Sequence, residues 1–251
     1  MNGRFIDSIQ LKREIGRGSY LREIPAVQFL MRNHTVVFDS NVTFFVGENG
    51  TGKSTLLEAI AVAFGFNAEG GTKNFSFSTN QTHSELCDCL TISRSKFARD
   101  GFFLRAESFY NVATNIEEMD KEPAAAPPVI DSYGGISLHK QSHGESFLSL
   151  VQNRFGGNGV YILDEPEAAL SPAKLLTLIA EINLLVKKNS QFIIATHSPM
   201  LMTFPNAKIY QFSEEGIQPV TYSETEHFQL TKRFLSNPGQ MLDILLDDGD
   251  G

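Results

Sequence analysis

Cysteine is scarce, with two in 251 residues, and Cys87 and Cys89 stand as a lone C-x-C. Two ligands do not make a zinc site, and residues so close are poorly placed to bridge. A disulfide framework and a zinc module are therefore excluded, and both thiols read as reduced and incidental. An excess of basic charge is also missing: 21 Lys plus Arg against 29 Asp plus Glu leave a net charge of −8. That balance does not support a broad nucleic-acid footprint, although a local basic strip stays open. No apolar run reaches membrane-spanning length, and the first seven residues lack the apolar core of a signal peptide. A soluble, cytoplasmic protein is expected. No internal repeat and no heptad arm is present. The acidic tail 247–251 carries oxygen ligands but is too short and open for a calcium loop, so it reads as a frayed end.

What is present suffices for a sizeable core: 41% apolar residues, 20 of the chain's residues being Phe. The length fits one large α/β domain over 1–251 with an inserted subdomain at about 67–155. Alternation over 5–13 predicts a half-buried strand, and β-branched density returns at 35–38. Buried strands are expected at 42–46, 102–107, 160–163 and 191–196. Helices are expected over 54–64, near 83–90, near 113–121, over 144–154 and 172–187, and near 224–235 and 239–246. Residues 67–100 read as polar and loop-rich, 122–128 as a break, and 207–222 as a hairpin around Glu214-Glu-Gly216. Strands alternating with helices imply a largely parallel sheet flanked by helices.

The most informative stretch is Val42-Thr-Phe-Phe-Val-Gly47-Glu48-Asn49-Gly50-Thr51-Gly52-Lys53-Ser54-Thr55. It reads as a buried strand, a turn matching G-x-x-x-x-G-K-[ST], then a helix, which is the context a phosphate-binding loop needs. Gly47, Gly50 and Gly52 let backbone N–H groups turn inward around an anion, and the helix start adds its dipole and unpaired donors. Lys53 supplies charge for the outer phosphates and Ser54 a hydroxyl for Mg²⁺. A nucleoside triphosphate is the expected ligand.

Val160-Tyr-Ile-Leu-Asp164-Glu165-Pro166 ends an apolar strand in two carboxylates. Asp164 is placed to hold Mg²⁺ as partner to Ser54, and Glu165 to polarise a water for attack on the γ-phosphate. His197 follows a third apolar strand and is expected to sense that phosphate or pin the water. Before these lies Gln141-Ser142-His143-Gly144-Glu145-Ser146, where Ser142 resembles an N-cap and Gly144 permits close approach of an anion to a helix N-terminus.

These phrases in this order, with Ala168-Ala-Leu-Ser171 after the carboxylates, resemble the ATP-binding-cassette ATPases. Within that class the chain is similar to small soluble predicted ATPases grouped with chromosome-maintenance and DNA-repair heads, without their coiled-coil arms. The resemblance spans essentially the whole chain. It implies a P-loop fold with an N-terminal antiparallel β part, and ATP and Mg²⁺ as cofactors. It also implies a homodimer closing on ATP, in which Ser142, Gly144 and Glu145 reach the γ-phosphate on the partner's loop and 167–171 lines the seam. Hydrolysis of ATP to ADP and phosphate would open the dimer, with an unknown protein partner responding. The family's glutamine after a middle strand has no counterpart near 105–108, and Glu107 is the substitute as a metal-side residue. His143 stands where the family signature has glycine. Two other roles are weighed: the nucleotide-binding subunit of a membrane transporter, and an armless DNA-repair or defence ATPase head.

Overall fold

The computed structural model describes residues 3–32, 34–73, 84–106, 109–121 and 127–246. Along the chain run β1 (Ile6–Leu11), α1 (Pro25–Met31), β2 (Val36–Val37), β3 (Val42–Gly47), α2 (Lys53–Phe64) and α3 (Leu86–Cys89). Next come β4 (Leu90–Arg94), β5 (Asp100–Arg105), α4 (Phe109–Met119), α5 (His143–Arg154), β6 (Gly159–Asp164) and α6 (Pro172–Lys187). The chain continues through β7 (Gln191–Ala195), β8 (Lys208–Ser213), β9 (Gly216–Val220), α7 (Glu226–Ser236) and α8 (Pro238–Leu246).

A six-stranded sheet in the order β5-β6-β7-β3-β8-β9 forms the centre, parallel except for the β8–β9 hairpin. A second, antiparallel sheet has the order β2-β1-β4. Every residue of β3, β6 and β7 is buried, which is why these strands read as unbroken apolar runs. Successive side chains serve opposite faces. Phe44, Tyr161, Leu163, Phe192 and Ile194 meet Phe147, Leu150, Leu178 and Ile182 of α5 and α6. Phe45, Ile162, Ile193 and Ala195 meet Leu56, Leu57 and Ile60 of α2, which shares its core with Ile6 and Ile9 of the smaller sheet. The helix that follows the glycine turn is thus clamped between the two sheets. Gln191, fully buried, accepts from Phe5 N and Ile6 N at 2.8 and 2.9 Å and donates to Ile6 O at 2.8 Å. This buried amide ties the smaller sheet to the larger with its polar groups satisfied.

Two expectations need correction, and one helix falls where nothing was expected. Residues 25–31 form a helix that periodicity misses, because seven residues give barely two turns; Pro25 starts it. Within the expected polar loop, Leu90–Arg94 is a strand, its Ile92 opposite Ile9 of β1. The helix expected near 113–121 begins already at Phe109. Glu107 and the acidic tail 247–251 lie outside the described residues.

Candidate functional site

The register of the parallel strands brings their C-terminal ends together. Arg105 pairs with Asp164, Asp164 with Ala195, and Ala195 with Phe45, two residues before Gly47. In sheets of this type that edge is where ligands bind.

Gly47 ends β3 with φ 135°, and Gly50 and Gly52 follow at 82° and 97°, all in the region that favours glycine. Glu48, Asn49 and Gly50 are exposed at the crest of the turn. Thr51 Oγ1 donates to Glu48 O at 2.8 Å, and Ala26 N donates to Thr51 O at 3.2 Å, so α1 braces the turn. Lys53 opens α2, followed by Ser54 and Thr55 in its first turn. Only 4% of Lys53 is exposed, and its Nζ donates to Gly47 O at 2.7 Å and Glu48 O at 2.8 Å. Burial pulls its pKa below the usual lysine value, against the attraction of Glu165, Glu48, Asp164 and Glu167.

Ser54 Oγ donates to Asp164 Oδ1 at 3.0 Å. Arg105 lies behind that pair, with Nε 3.5 Å from Asp164 Oδ2 and Nη1 2.6 Å from Glu58 Oε2. Glu165 leaves β6 in the left-handed conformation, φ 50° and ψ 53°, its amide donating to Ala195 O at 3.0 Å. A non-glycine residue held there carries strain, a feature found disproportionately at functional sites. The turn sets Glu165 Oε1 3.5 Å from His197 Nε2. Glu167 fixes the histidine segment from below: it accepts from Thr196 Oγ1 at 2.8 Å and from His197 N. Burial pushes the Glu167 carboxyl up. His197 Nδ1 lies 2.9 Å from His227 Nε2, and burial with the nearby Lys53 charge pulls the His197 pKa down.

Two cavities share Ser54 and Glu165. One, of about 270 Å³, opens over Asn49, Gly50, Lys53 and Thr55. The other, of about 510 Å³, is bounded by Arg105, Asp164 and His143. The segment carrying His143 caps α5. Glu145 accepts from Ser142 N at 3.0 Å and from Ser142 Oγ at 2.6 Å, and Lys174 Nζ lies 3.4 Å from that hydroxyl. Ser142, His143 and Glu145 are exposed. The Ser142 hydroxyl holds the Glu145 carboxyl below its usual pKa. Gly144 is buried, and a Cβ there would lie 2.8 Å from Ala169 O. Close packing against the turn after β6 therefore requires this glycine, whatever an anion would ask of it.

Two AAA-domain family models match the sequence. One, described as an AAA domain, spans residues 23–118; the other, described as an AAA domain, putative AbiEii toxin of a type IV toxin–antitoxin system, spans 138–203. No curated protein matches. Among solved structures, CbiO1 of Clostridium perfringens, part of the ABC transporter complex CbiONQ, superposes with a TM-score of 0.53 at 15% identity. That likeness covers 97% of this chain and 99% of CbiO1. The fold is that of an ATP-binding cassette. The cassette MJ1267 of an ABC transporter agrees, with a TM-score of 0.50 at 15% identity over 94% of this chain and 96% of that one. The AAA-domain matches bring with them the P-loop ATPase resemblance that the motifs carry.

Within the cassette fold, Gly47 to Thr55, Asp164, Glu165 and His197 gather at one sheet edge, and His143 reaches the same cavity. Three residues at the edge escaped the sequence reading. Arg105 had a signal, since β5 ends in a charge as β6 does. Glu167 is expected from the motifs only along a dimer seam, whereas the fold shows it holding the histidine segment. His227 lies 30 residues from its partner in sequence, and no local pattern links the two.

Proposed function

We propose that the chain is a Mg²⁺-dependent ATP hydrolase, and that its ATP-bound form closes as a homodimer. The observation that carries this reading is the 3.0 Å contact between Ser54 Oγ, at the end of the glycine turn, and Asp164 Oδ1, with Glu165 next in line. Hydroxyl and carboxylate oxygens are the donors a small hard cation takes alongside phosphate oxygens, so the residues present fit Mg²⁺. Open space around Gly50, where an added Cβ would meet nothing within 4 Å, fits a loop that wraps an anion.

In this reading Ser54 and Asp164 would hold Mg²⁺, which would neutralise charge on the phosphate oxygens. Lys53 adds its charge from the loop's inner wall, where the low dielectric strengthens its attraction for phosphate although burial lowers its pKa. Glu165, projected by its strained backbone, takes the proton from the attacking water as general base. His197 holds that carboxylate in place through Nε2. Ser142, Gly144 and Glu145 present their exposed cap to a second subunit's phosphate, with 167–171 along the seam. Residues 67–155 are assigned as the lid and signature part of the domain. The setting proposed is the cytoplasm; among the described residues no helix is long and apolar enough to cross a membrane.

The test is Lys53→Ala, followed by ATP titration and phosphate release. Affinity for MgATP should fall by at least tenfold and turnover should vanish. Because Lys53 also bonds two loop carbonyls, a lowered melting temperature is expected as well, and Lys53→Met retains the apolar stem as a control. Wild-type affinity in both variants would contradict the assignment of 47–55.

A further inference from the structure

His227 belongs to α7, in the C-terminal part of the chain, yet it touches the histidine beside Glu165. Both rings are held by their own elements. Thr225, fully buried, caps α7 by accepting from Phe228 N at 3.4 Å and donates to Tyr222 O at 2.9 Å. Phe228 packs on Tyr222 with ring centroids 4.5 Å apart. On the other side, Glu167 holds the His197 amide. The two imidazoles meet edge to face at 61°, with His197 Nδ1 and His227 Nε2 2.9 Å apart.

Two nitrogens at that distance share one hydrogen, and only one arrangement suits the surroundings. If His197 carried the hydrogen on Nδ1, its bare Nε2 would face the Glu165 carboxylate, acceptor against acceptor at 3.5 Å. His227 would then carry its hydrogen on Nδ1, a buried atom with no hydrogen-bond partner among the described residues. In either arrangement this atom is unpartnered, so the contact with Glu165 decides between the two. If His227 Nε2–H donates instead, His197 keeps its hydrogen on Nε2, aimed at Glu165, and the buried His227 Nδ1 carries no hydrogen. Burial pulls both pKa values below the ordinary histidine value, helped at His197 by Lys53 against Glu165 and Glu48, and at His227 by His197 and Lys53 against Glu48 and Glu226.

We infer that His227 is a positioning residue, which fixes His197 as its Nε2–H tautomer and thereby presents a donor to Glu165 and to the phosphate it serves. The inference rests on the proposed hydrolase only for its kinetic consequence; the tautomer itself is a property of the nucleotide-free protein. For histidines that ligate metals, partners that set the tautomer are worth roughly 10–100-fold, and a loss at the lower end of that scale is expected here.

The experiment compares wild type with His227→Leu and His227→Gln, reading imidazole ¹⁵N shifts by NMR without nucleotide and phosphate release with MgATP, with melting as the fold control. Wild type should show a protonated Nε2 and a bare Nδ1 on His197. The leucine variant leaves His197 Nδ1 without its donor, so the Nδ1 ¹⁵N shift should move to that of an unbonded imidazole nitrogen, and turnover should fall at least tenfold with KM nearly unchanged. Glutamine, whose amide nitrogen can still donate to Nδ1, should restore both. If leucine fails to fold, His227→Asn, whose amide stops short of His197, replaces it. A His197 Nδ1 shift that is the same with and without a donor at 227, or a His197 that is Nδ1-protonated in wild type, overturns the inference. Correct tautomers in a protein that releases no phosphate would refute the hydrolase reading instead.

Discussion

Gly50 and Gly52 have similar φ values but different surroundings, and that difference separates the proposed anion cradle from its scaffold. A Cβ on Gly52 would lie 2.4 Å from Ile24 Cγ2 and 3.0 Å from the Ala26 Cβ, both on the segment that braces the turn. On Gly50 it would meet nothing. Gly50→Ala should therefore cost only the left-handed backbone penalty, about 1–2 kcal/mol. Gly52→Ala adds a clash and should lower stability further while displacing the start of α2. Urea melts of both variants check this, and equal losses would contradict the packing described. At this scale much of the site was legible in the sequence, because a phosphate loop and a strand ending in Asp-Glu are local patterns. The burial of Lys53 and its bonds to Gly47 O and Glu48 O were not legible, since they depend on how the turn folds over its own lysine. Nor was the link from His197 to His227, which exists only once α7 returns to the sheet edge.

Among the elements, the long buried strands and α5 and α6 were legible from apolar runs and helical spacing. What escaped was α1, too short to show a period, and β4, whose outward Ser93 and Arg94 give it the polarity of a loop. Strand β5 shows how an element is pinned at the end opposite the site. Asp100, its first residue, bonds Arg154 Nη1 at 2.9 Å, Gly156 N at 2.8 Å and the Tyr161 hydroxyl at 2.7 Å. Burial pushes the Asp100 carboxyl up, but the Gly156 amide, the Tyr161 hydroxyl and Arg154 outweigh it and hold it below its ordinary 3.8. A carboxyl with a depressed folded pKa contributes stability above its unfolded value and loses it as pH falls through the folded one. Asp100→Asn should thus lower stability by about 1.5–3 kcal/mol at neutral pH, the range for hydrogen bonds to a charged group. The gap to wild type should close as pH drops below about 4. A gap that stays constant down to pH 2 would mean that the ionised carboxylate is not what pins β5.

For the whole molecule, the exposure of Ser142, His143 and Glu145 at the start of α5 is the ground for the proposed closure between two copies. The cassette fold was legible in the order of the motifs along the chain, whereas the packing that makes Gly144 obligatory was not. If closure needs ATP and hydrolysis reopens the pair, a chain that binds ATP without cleaving it should accumulate as a dimer. Glu165→Gln is that chain, since Ser54, Asp164 and the glycine loop remain. Light scattering with MgATP should then report the mass of two chains, and with ADP the mass of one.

Phosphate release by Glu165→Gln, measured beside wild type at saturating MgATP, tests the central claim most directly. Loss of a general base lowers turnover by roughly 10²–10⁴-fold, and that loss with ATP affinity retained is the predicted result. Turnover near that of wild type would contradict the assignment of Glu165 as the base of an ATP hydrolase.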